Sequence, residues 1–327
     1  MRTSVGLCAA AGFATLLAVN LQPVPAQAQD WPTRPIRVIV GFGPGGGTDI
    51  VSRIIAEPLG EFLGQSIVIE NKPGAGSTIA ADMVAKSPPD GYTASMLSAG
   101  HTVSAVMFKT LPYDSVKDFA PAGLVANSGF VIVARKDFPA HDIKGLIAIA
   151  KAAPGKLNFA SVGVGSTQHF AGELFRQMAG IDVTHIPYRG TPAVVTALRR
   201  QEVDYAVELV QAVIGQIQAD EIKPLAVTSP QRWPTLPQVP TVQEQGIAGY
   251  DVTSWYGLVF PAGTPKSITD KMYNGIRQVL ARENVQKQIA NAGAVVHPLS
   301  PQDFGRHLES EIAKWRDVAT KARIEQQ

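Results

Sequence analysis

The sequence predicts an α/β protein made of two open α/β lobes, and three observations support this fold class. Short β-branched runs alternate with segments of helical periodicity, which is the pattern of βαβ units and largely parallel sheets. The chain has 327 residues, of which 45% are hydrophobic and 17% charged, a composition typical of soluble globular domains. Two sheets fit this length better than one.

The first 28 residues differ in composition from the rest and predict a cleaved secretory signal. Arg2 is the only charge before Asp30, and residues 5–21 are mostly small or apolar. Ala26-Gln27-Ala28 then supplies the small-x-small pattern that signal peptidase cleaves. No later run is long and apolar enough to cross a bilayer. We therefore expect residues 1–28 to be removed and the product to be a soluble protein of the periplasm.

Charge and cysteine content argue against several classes of function. The net charge is +2 and no run of Lys or Arg is long enough for a nucleic-acid surface, so no nucleic-acid partner is expected. The one cysteine, Cys8, lies in the signal segment, which leaves no disulfide, thiol nucleophile or thiolate metal site. The chain also lacks G-x-S-x-G, a P-loop and H-x-x-x-H spacing. We expect no enzyme activity, catalytic residue, metal or cofactor.

Hydrophobic periodicity places the predicted elements along the chain. Strands are predicted at residues 36–40, 67–69, 92–97, 130–134, 157–160, 183–186, 204–207, 225–228 and 254–260. Helices are predicted near residues 142–152, 167–179 and 191–200, and the chain after residue 260 is expected to be mostly helical through 323.

A further helix is predicted after residue 47. Ile50, Ile54, Leu59 and Phe62 are expected to share its buried face, and Pro58 is expected to kink or shorten it.

The order of these elements predicts the lobe boundaries. The first lobe is expected to comprise residues 29–125 and 250–327, and the second residues 126–249. The chain then crosses between the lobes twice, near residues 125 and 250. A hinge with two crossings permits closure around a ligand, which is the architecture of a binding protein.

The most informative loop runs from Gly41 to Asp49, between a strand and a helix. Its five glycines leave backbone N–H groups open to a ligand. Thr48 or Asp49 is expected to cap the helix, and Arg53, one turn later, to face solvent. The positive end of a helix beside such a loop binds anions, either phosphate or carboxylate.

The same loop permits a different function. Gly41, Gly43 and Gly46 match G-x-G-x-x-G, and Glu70 ends the next strand, where a dinucleotide enzyme would bind ribose. Pro44 removes one amide from this loop, which argues against phosphate binding. A dinucleotide-binding oxidoreductase stays open as the alternative function, and so does a glycine turn without a ligand.

Four further loops follow predicted strands, where open α/β sheets bind ligands. They span residues 73–78, 98–102, 161–169 and 187–191, and they offer amides and hydroxyls from both predicted lobes. Together with the first loop they predict a ligand-binding cleft. The residues predicted to bind the ligand are Phe42, Gly43, Pro44, Gly45, Gly46, Thr48, Asp49, Gly76, Ser77, Ser98, Ser161, Gly163, Gly165, Ser166, Thr167, His169, Tyr188, Gly190, Thr191 and Glu208.

Several motifs, in order along essentially the whole mature chain, resemble one family. They are residues 31–37, 44–49, 70–76, 89–93, 111–114, 117–121, 185–188, 225–229, 240–242 and 261–265. The sequence resembles the Bug family, the substrate-binding proteins of tripartite tricarboxylate transporters.

The resemblance implies a type II periplasmic-binding-protein (Venus-flytrap) fold and a small carboxylate ligand, whether organic acid, aromatic acid or amino acid. It implies that the loops at residues 44–49 and 163–169 are opposing jaws. It also implies a monomer that serves two membrane subunits of a secondary transporter. Glu208 stands where members often carry aspartate, so it either faces a ligand amine or hydroxyl or is a solvated glutamate.

Overall fold

The computed structural model describes residues 31–327, so the predicted signal segment and its cleavage site lie outside the described residues. The strands are β1 Ile36–Val40, β2 Ile67–Asn71, β3 Thr93–Ser98, β4 Phe119–Arg135, β5 Asn158–Ser161, β6 Thr184–Pro187, β7 Tyr205–Leu209, β8 Ile222–Val227, β9 Thr253–Pro261 and β10 Ala294–Leu299. The helices are α1 Gly47–Leu63, α2 Thr78–Ala85, α3 Ala99–Met107, α4 Ile143–Ala152, α5 Thr167–Ala179, α6 Thr191–Arg199, α7 Val210–Gln218, α8 Lys266–Leu280, α9 Glu283–Asn291 and α10 Pro301–Ala322.

The strands form one continuous mixed sheet in the order β2-β1-β3-β9-β4-β7-β5-β6, with β8 and β10 also paired to β4. The β1 and β5 pairings at the two ends are parallel, as the βαβ pattern predicts. All pairings of β4 and β9 are antiparallel. The α/β class is confirmed, but the expectation of largely parallel sheets is wrong for the centre, because long returning strands join the two parallel ends.

The 17-residue strand β4 links the two halves of the sheet. Residues 119–129 pair with β9, and Phe130 to Ala134 pair with β7 instead. The change occurs at Gly129, where an added Cβ would lie 2.6 Å from the buried Trp233 ring. Only a residue without a side chain allows this approach. Sequence periodicity found only the second half of β4, because the first half is interrupted by Pro121, Gly123 and two register shifts.

The carboxyl-terminal helix contributes to two of the hydrophobic clusters that lie along this sheet. Phe304 and Leu308 of α10 pack in the cluster that contains Trp255. Trp315 and Val318, two turns later, pack in the cluster that contains Phe130. Because α10 belongs to both cores, burial alone does not separate two lobes, and the lobe boundaries stay a prediction.

The first helix corrects two details of the sequence prediction. Helix α1 continues through Pro58 to Leu63, and its buried face carries Val51, Ile55 and Leu59, of which only Leu59 was predicted. Ile50 is exposed on the opposite side. Burial of the apolar face outweighs the loss of one hydrogen bond at the proline. Among the described residues, no helix combines the length and apolarity that a membrane crossing requires.

Candidate functional site

Two loops of this sheet form the same kind of turn although their sequences differ. We call residues 43–49, between β1 and α1, the first jaw, and residues 163–169, between β5 and α5, the second jaw. In the first jaw Gly46 N donates to Gly43 O at 3.4 Å, and Gly45 has a φ of 81°. The second jaw repeats both features at positions 166, 163 and 165, with a hydrogen bond of 3.2 Å and a φ of 80°. Each turn therefore needs glycine at its third position.

Each jaw ends in a helix whose third residue reaches back to the turn. Asp49 Oδ2 accepts a hydrogen bond from Gly45 N at 2.9 Å, and His169 Nδ1 accepts one from Gly165 N at 3.3 Å. Neither Thr48 nor Asp49 caps α1, whose N-cap is Gly46 without a side-chain bond, so that expectation is wrong. The carboxylate instead bonds the turn that precedes the cap.

The first jaw is held by an ionic network around Asp49. Its carboxylate also accepts hydrogen bonds from Arg53 at 3.0 Å and from Asn71 at 2.9 Å, and Asn71 donates to Phe42 O. Burial alone would raise the pKa of Asp49, but the hydrogen bonds from Arg53, Gly45 and Asn71 outweigh it and lower the pKa. Arg53 is half exposed, in line with the expectation that it faces solvent, but it also forms an ion pair with this buried carboxylate.

The second jaw is held by neutral groups. Ser161 Oγ lies 2.7 Å from Nε2 of His185, and the rings of His169 and His185 stack with their centroids 4.0 Å apart. Burial lowers the pKa of His169 to about 3 and that of His185 to about 4. Ser166 caps α5 by accepting from His169 N at 3.1 Å, and its own hydroxyl donates to Gly163 O at 2.7 Å.

A cavity of about 440 Å³ opens between the two jaws. Equivalent residues of the jaw regions line it in pairs: Phe42 with Val162, Gly46 with Ser166, Gly47 with Thr167, and Thr48 with Gln168. The other lining residues are Gly76, Ser98, Gly100, Ser104, Phe130, Gly163, Val164, Gly165, Leu209, Ser254 and Tyr256. Among the described residues, no Asp, Glu, Lys, Arg or His lines this cavity, so it is polar through amides and hydroxyls and apolar through its aromatic and aliphatic walls.

Both jaws direct helix amino termini toward this cavity. The first backbone bond of α1 runs from Ile50 N to Gly46 O, and that of α5 from Phe170 N to Ser166 O. The N–H groups that precede these bonds have no partner within the helix. They carry the positive end of the helix dipole, so the cavity suits an anionic group without a cationic side chain.

The floor of the cavity connects the two halves of the sheet. Tyr256 on β9 is buried, and Gln211 Nε2 on α7 donates to its hydroxyl at 3.5 Å. Gln211 Oε1 in turn accepts from Ser128 on β4 at 3.1 Å. A Cβ added to Gly47 would collide with both Gln211 and Tyr256. The start of α1 is thereby pressed against this floor, which explains why glycine stands there while the second jaw carries Thr167.

The predicted site residues fall into two groups. Those that line the cavity are Phe42, Gly46, Thr48, Gly76, Ser98, Gly163, Gly165, Ser166 and Thr167. Those that lie outside the lining are Gly43, Pro44, Gly45, Asp49, Ser77, Ser161, His169, Tyr188, Gly190, Thr191 and Glu208. In this second group, Asp49, Ser161 and His169 shape the jaws, and ligand contact stays a prediction for all the predicted residues.

Sequence reasoning missed the floor and walls of the cavity. The cavity residues it missed include four on strands β4, β7 and β9, namely Phe130, Leu209, Ser254 and Tyr256. These residues carry no loop motif, and their position in the cavity depends on strand order. Leu209 is paired with Phe130 across β7 and β4. The sequence of β7 alone does not show that this residue reaches the cavity.

Glu208 is not a solvated glutamate, because its exposed fraction is 0%. Its Oε2 accepts a hydrogen bond from Thr191 Oγ1 at 2.8 Å, whereas Oε1 has no hydrogen bond of normal geometry. Burial raises the pKa of this carboxyl group to about 7. The carboxyl group of Glu208 is therefore buried behind the second jaw and has a pKa close to neutral pH.

The residues expected of a dinucleotide site have other partners here. Glu70 accepts two hydrogen bonds from Arg37, at 2.7 and 2.9 Å, so its carboxylate is occupied. An added Cβ on Gly41 would collide with the hydroxyl of Ser77, so packing between two loops accounts for this glycine. Across residues 31–327, no group of three His, Cys, Asp or Glu side chains could hold a metal ion.

This chain is similar in sequence to a bacterial protein and in structure to two solved proteins. It is 35% identical to the UPF0065 protein in the tcbD-tcbE intergenic region of Pseudomonas sp. strain P51, over 94% of this chain and 92% of that protein. The structure of the periplasmic binding protein BugD matches with a TM-score of 0.77 at 34% identity, covering 91% of this chain and all of that one. R. palustris Rpa4515, solved with adipate, matches with a TM-score of 0.80 at 36% identity and the same coverage.

These likenesses confirm the periplasmic-binding-protein fold class. Residues 51–324 match the receptor of the tripartite tricarboxylate transporter family, a family of periplasmic solute-binding receptors. Together with the relatives that cover nine tenths of its length, this match shows that the chain belongs to the tripartite tricarboxylate transporter receptor family.

Proposed function

We propose that the protein is a periplasmic receptor that captures a small carboxylate between its two jaws and delivers it to a tripartite tricarboxylate-type transporter. The observation that carries this proposal is the pair of matched jaws, which direct the amino termini of α1 and α5 toward one cavity without charged lining residues. Oriented N–H groups bind an anion at modest desolvation cost because the ligand needs no buried cation.

The cavity walls restrict the rest of the ligand. Phe42 and Phe130, with Val162 and Leu209, supply apolar surface between the polar ends. This arrangement suits a carboxylate with an aliphatic or aromatic body, such as the adipate with which Rpa4515 was solved. Hydroxyls at Ser98, Ser104 and Ser254 can bond a second polar group. A dicarboxylate of about six carbons fits a cavity of about 440 Å³.

A receptor role, rather than catalysis, also agrees with the family. The buried histidines of the second jaw have pKa values lowered by burial and are engaged in holding the loop. Neither histidine lines the cavity. We extend the family's location to this chain, as a mature protein cleaved after residue 28, and we take the receptor to be a monomer.

Calorimetric and thermal titration of the mature protein tests the ligand class. Adipate, malate, citrate, aromatic acids and amino acids are each compared with a neutral analogue, for example adipamide. A carboxylate at a hundred times its Kd should stabilise the protein by about 2.7 kcal/mol, whereas its amide should leave the melting temperature unchanged. Equal stabilisation by acid and amide would contradict recognition of the carboxylate. No shift with any acid would overturn the proposed function.

A further inference from the structure

Glu208 stands out among the buried groups near the cavity because it lacks a charge partner. It lies on β7, where Val131 of β4 is its paired neighbour and Thr191 of α6 is a hydrogen-bond donor. Gln168, at the start of α5, lies beside the same carboxyl group. The neighbouring Leu209 lines the cavity, whereas Glu208 itself lies one side chain behind it.

No charged group of the described residues acts on the pKa of Glu208, so none compensates a charge there. The ionisable side chains on adjoining segments are His169 on α5, His185 on β6, and Tyr188 and Arg189 on the loop before α6. The neighbouring side chains on β4 and at the start of α7, Val131 and Gln211, carry no charge. Burial is the largest influence on the pKa of Glu208, and hydrogen bonds from Thr191, Gln168 and the Leu209 backbone only partly oppose it. An ionised Glu208 would be a buried charge without a counter-ion, which is costly.

Gln168 connects this carboxyl group with the cavity. Gln168 is 8% exposed and lines the cavity, as does Thr48, its equivalent in the first jaw. The side-chain amide of Gln168 has a donor, the NH₂ group, and an acceptor, the carbonyl oxygen. When one of these groups bonds Glu208, the other is left to face the ligand. A protonated Oε1 donates to the amide oxygen and leaves the NH₂ group for the cavity. An ionised Oε1 accepts from the NH₂ group and leaves the amide oxygen for the cavity.

We propose that Glu208 is a positioning residue that holds a proton in the ligand-bound state, orients Gln168 as a donor, and couples capture of an anion to one proton. This inference rests on the proposed carboxylate-binding function. The unpartnered Oε1 is the atom that carries the proton, and Thr191 holds the other oxygen in place. A carboxylate ligand stabilises the donor orientation, whereas the ionised form presents an oxygen that repels it.

Infrared titration of the ligand-free mature protein tests the proton directly. The C=O band of a protonated carboxyl group should disappear with a midpoint near pH 7 in the natural protein. The band should be absent from Glu208→Gln, which keeps the shape of the protonated acid. Glu202→Gln, on the exposed turn before β7, is the matched control and should keep the band. A Glu208 band that is already lost at about pH 5, near the ordinary value for glutamate, would overturn the proposal.

Calorimetry with adipate, in buffers of different ionisation enthalpy, tests the coupling. Above about pH 7 the natural protein should take up close to one proton per ligand, and its Kd should rise about tenfold per pH unit. Glu208→Gln should bind with a pH-independent Kd, and Glu202→Gln should behave as the natural protein. The same pH slope in Glu208→Gln, or loss of binding by that variant when circular dichroism shows it folded, would contradict the proposal. If adipate and the other acids fail to bind at every pH, the proposed function fails, and the infrared titration still decides where the proton resides.

Discussion

The first and second jaws share one kind of turn but hold it in two different ways. Both have a turn closed by an N–H to O bond, a glycine with φ near 80°, and a side chain from the third helical residue that bonds the turn. In the first jaw that residue is Asp49, ionised and paired with Arg53. In the second it is His169, neutral and stacked on His185.

This difference shows that the anion site depends on backbone geometry, and that the supporting side chain can vary. Asp49 adds a negative charge near the cavity, but Arg53 and Asn71 bond this charge, and none of the three residues lines the cavity. His169 adds no charge because burial keeps it neutral. In both jaws, the helix N–H groups are therefore the dominant electrostatic feature that faces the cavity.

The largest effect is expected for Asp49→Ala, which breaks the ionic support of the first jaw. The substitution leaves Gly45 N without its acceptor and Arg53 without its carboxylate partner, and it should lower the free energy of unfolding by about 3 kcal/mol. His169→Ala, the matched change in the second jaw, should cost about half as much, because it loses one long neutral bond and a stacking contact. Urea denaturation of both variants measures the difference. Equal losses would show that the two supports are energetically equivalent.

Gly47→Val should reduce affinity for the carboxylate about a hundredfold, or about 2.7 kcal/mol. Its side chain collides with Gln211 and Tyr256 at the cavity floor, so the start of α1 must shift away from the ligand. Thr167→Val, the equivalent position in the second jaw, keeps the branched shape and should lose at most about tenfold, the contribution of one hydroxyl bond. Calorimetric titration compares the two. Unchanged affinity in a folded Gly47→Val variant would place the ligand elsewhere.

The two jaws should also respond differently to acid. The folded-state pKa of His169 lies below its unfolded value, so the folded state resists protonation and stability falls as the pH drops below about 6.5. The expected loss is about 1 kcal/mol per pH unit. His169→Gln should reduce this slope without abolishing it, because the pKa of His185 is also lowered by burial. The later loss, below about pH 4, belongs to Asp49 and should remain. Melting temperatures measured from about pH 7 to about pH 4 test this, and a slope unchanged in His169→Gln would assign it to other groups.

The smallest effect is expected for the exchange of cap residues. Ser166→Gly removes the side-chain cap of α5 and should cost a few tenths of a kcal/mol, whereas Ser166→Ala should cost about 1 kcal/mol. Gly46→Ser introduces the missing cap into the first jaw and should fold normally. Gly46 has a φ of −75°, and an added Cβ would meet only Gly43 O at 3.4 Å. Differential scanning calorimetry of the three variants tests this, and a misfolded Gly46→Ser would show that the jaws are less alike than their backbones suggest.

Local pattern predicted most of the fold and part of the site. The strand at 36–40 and the helix at 167–179 occur with the predicted bounds, because each has a clear period and a glycine-rich boundary. Strand β10 and the first half of β4 escaped prediction, since β-bulges and prolines interrupt their alternation. The cavity-lining glycines and serines of the jaws could be predicted because a loop between a strand and a helix has few possible uses.

By itself, the sequence determined the α/β alternation, the glycine loops at strand ends and the absence of Arg and Lys from the two jaws, because these depend on local period, local backbone freedom and residue identity. Only the tertiary structure decided which strands are neighbours, and therefore that Tyr256, Phe130 and Leu209 form the floor and wall of the cavity. It also decided the ionisation of Glu208, since the cost of a buried charge depends on surroundings that distant segments supply. The similarity of the two jaws also became visible only in the tertiary structure. Their sequences share Gly-x-Gly and little else, yet an ionic bond in one and a neutral bond in the other stabilise the same turn.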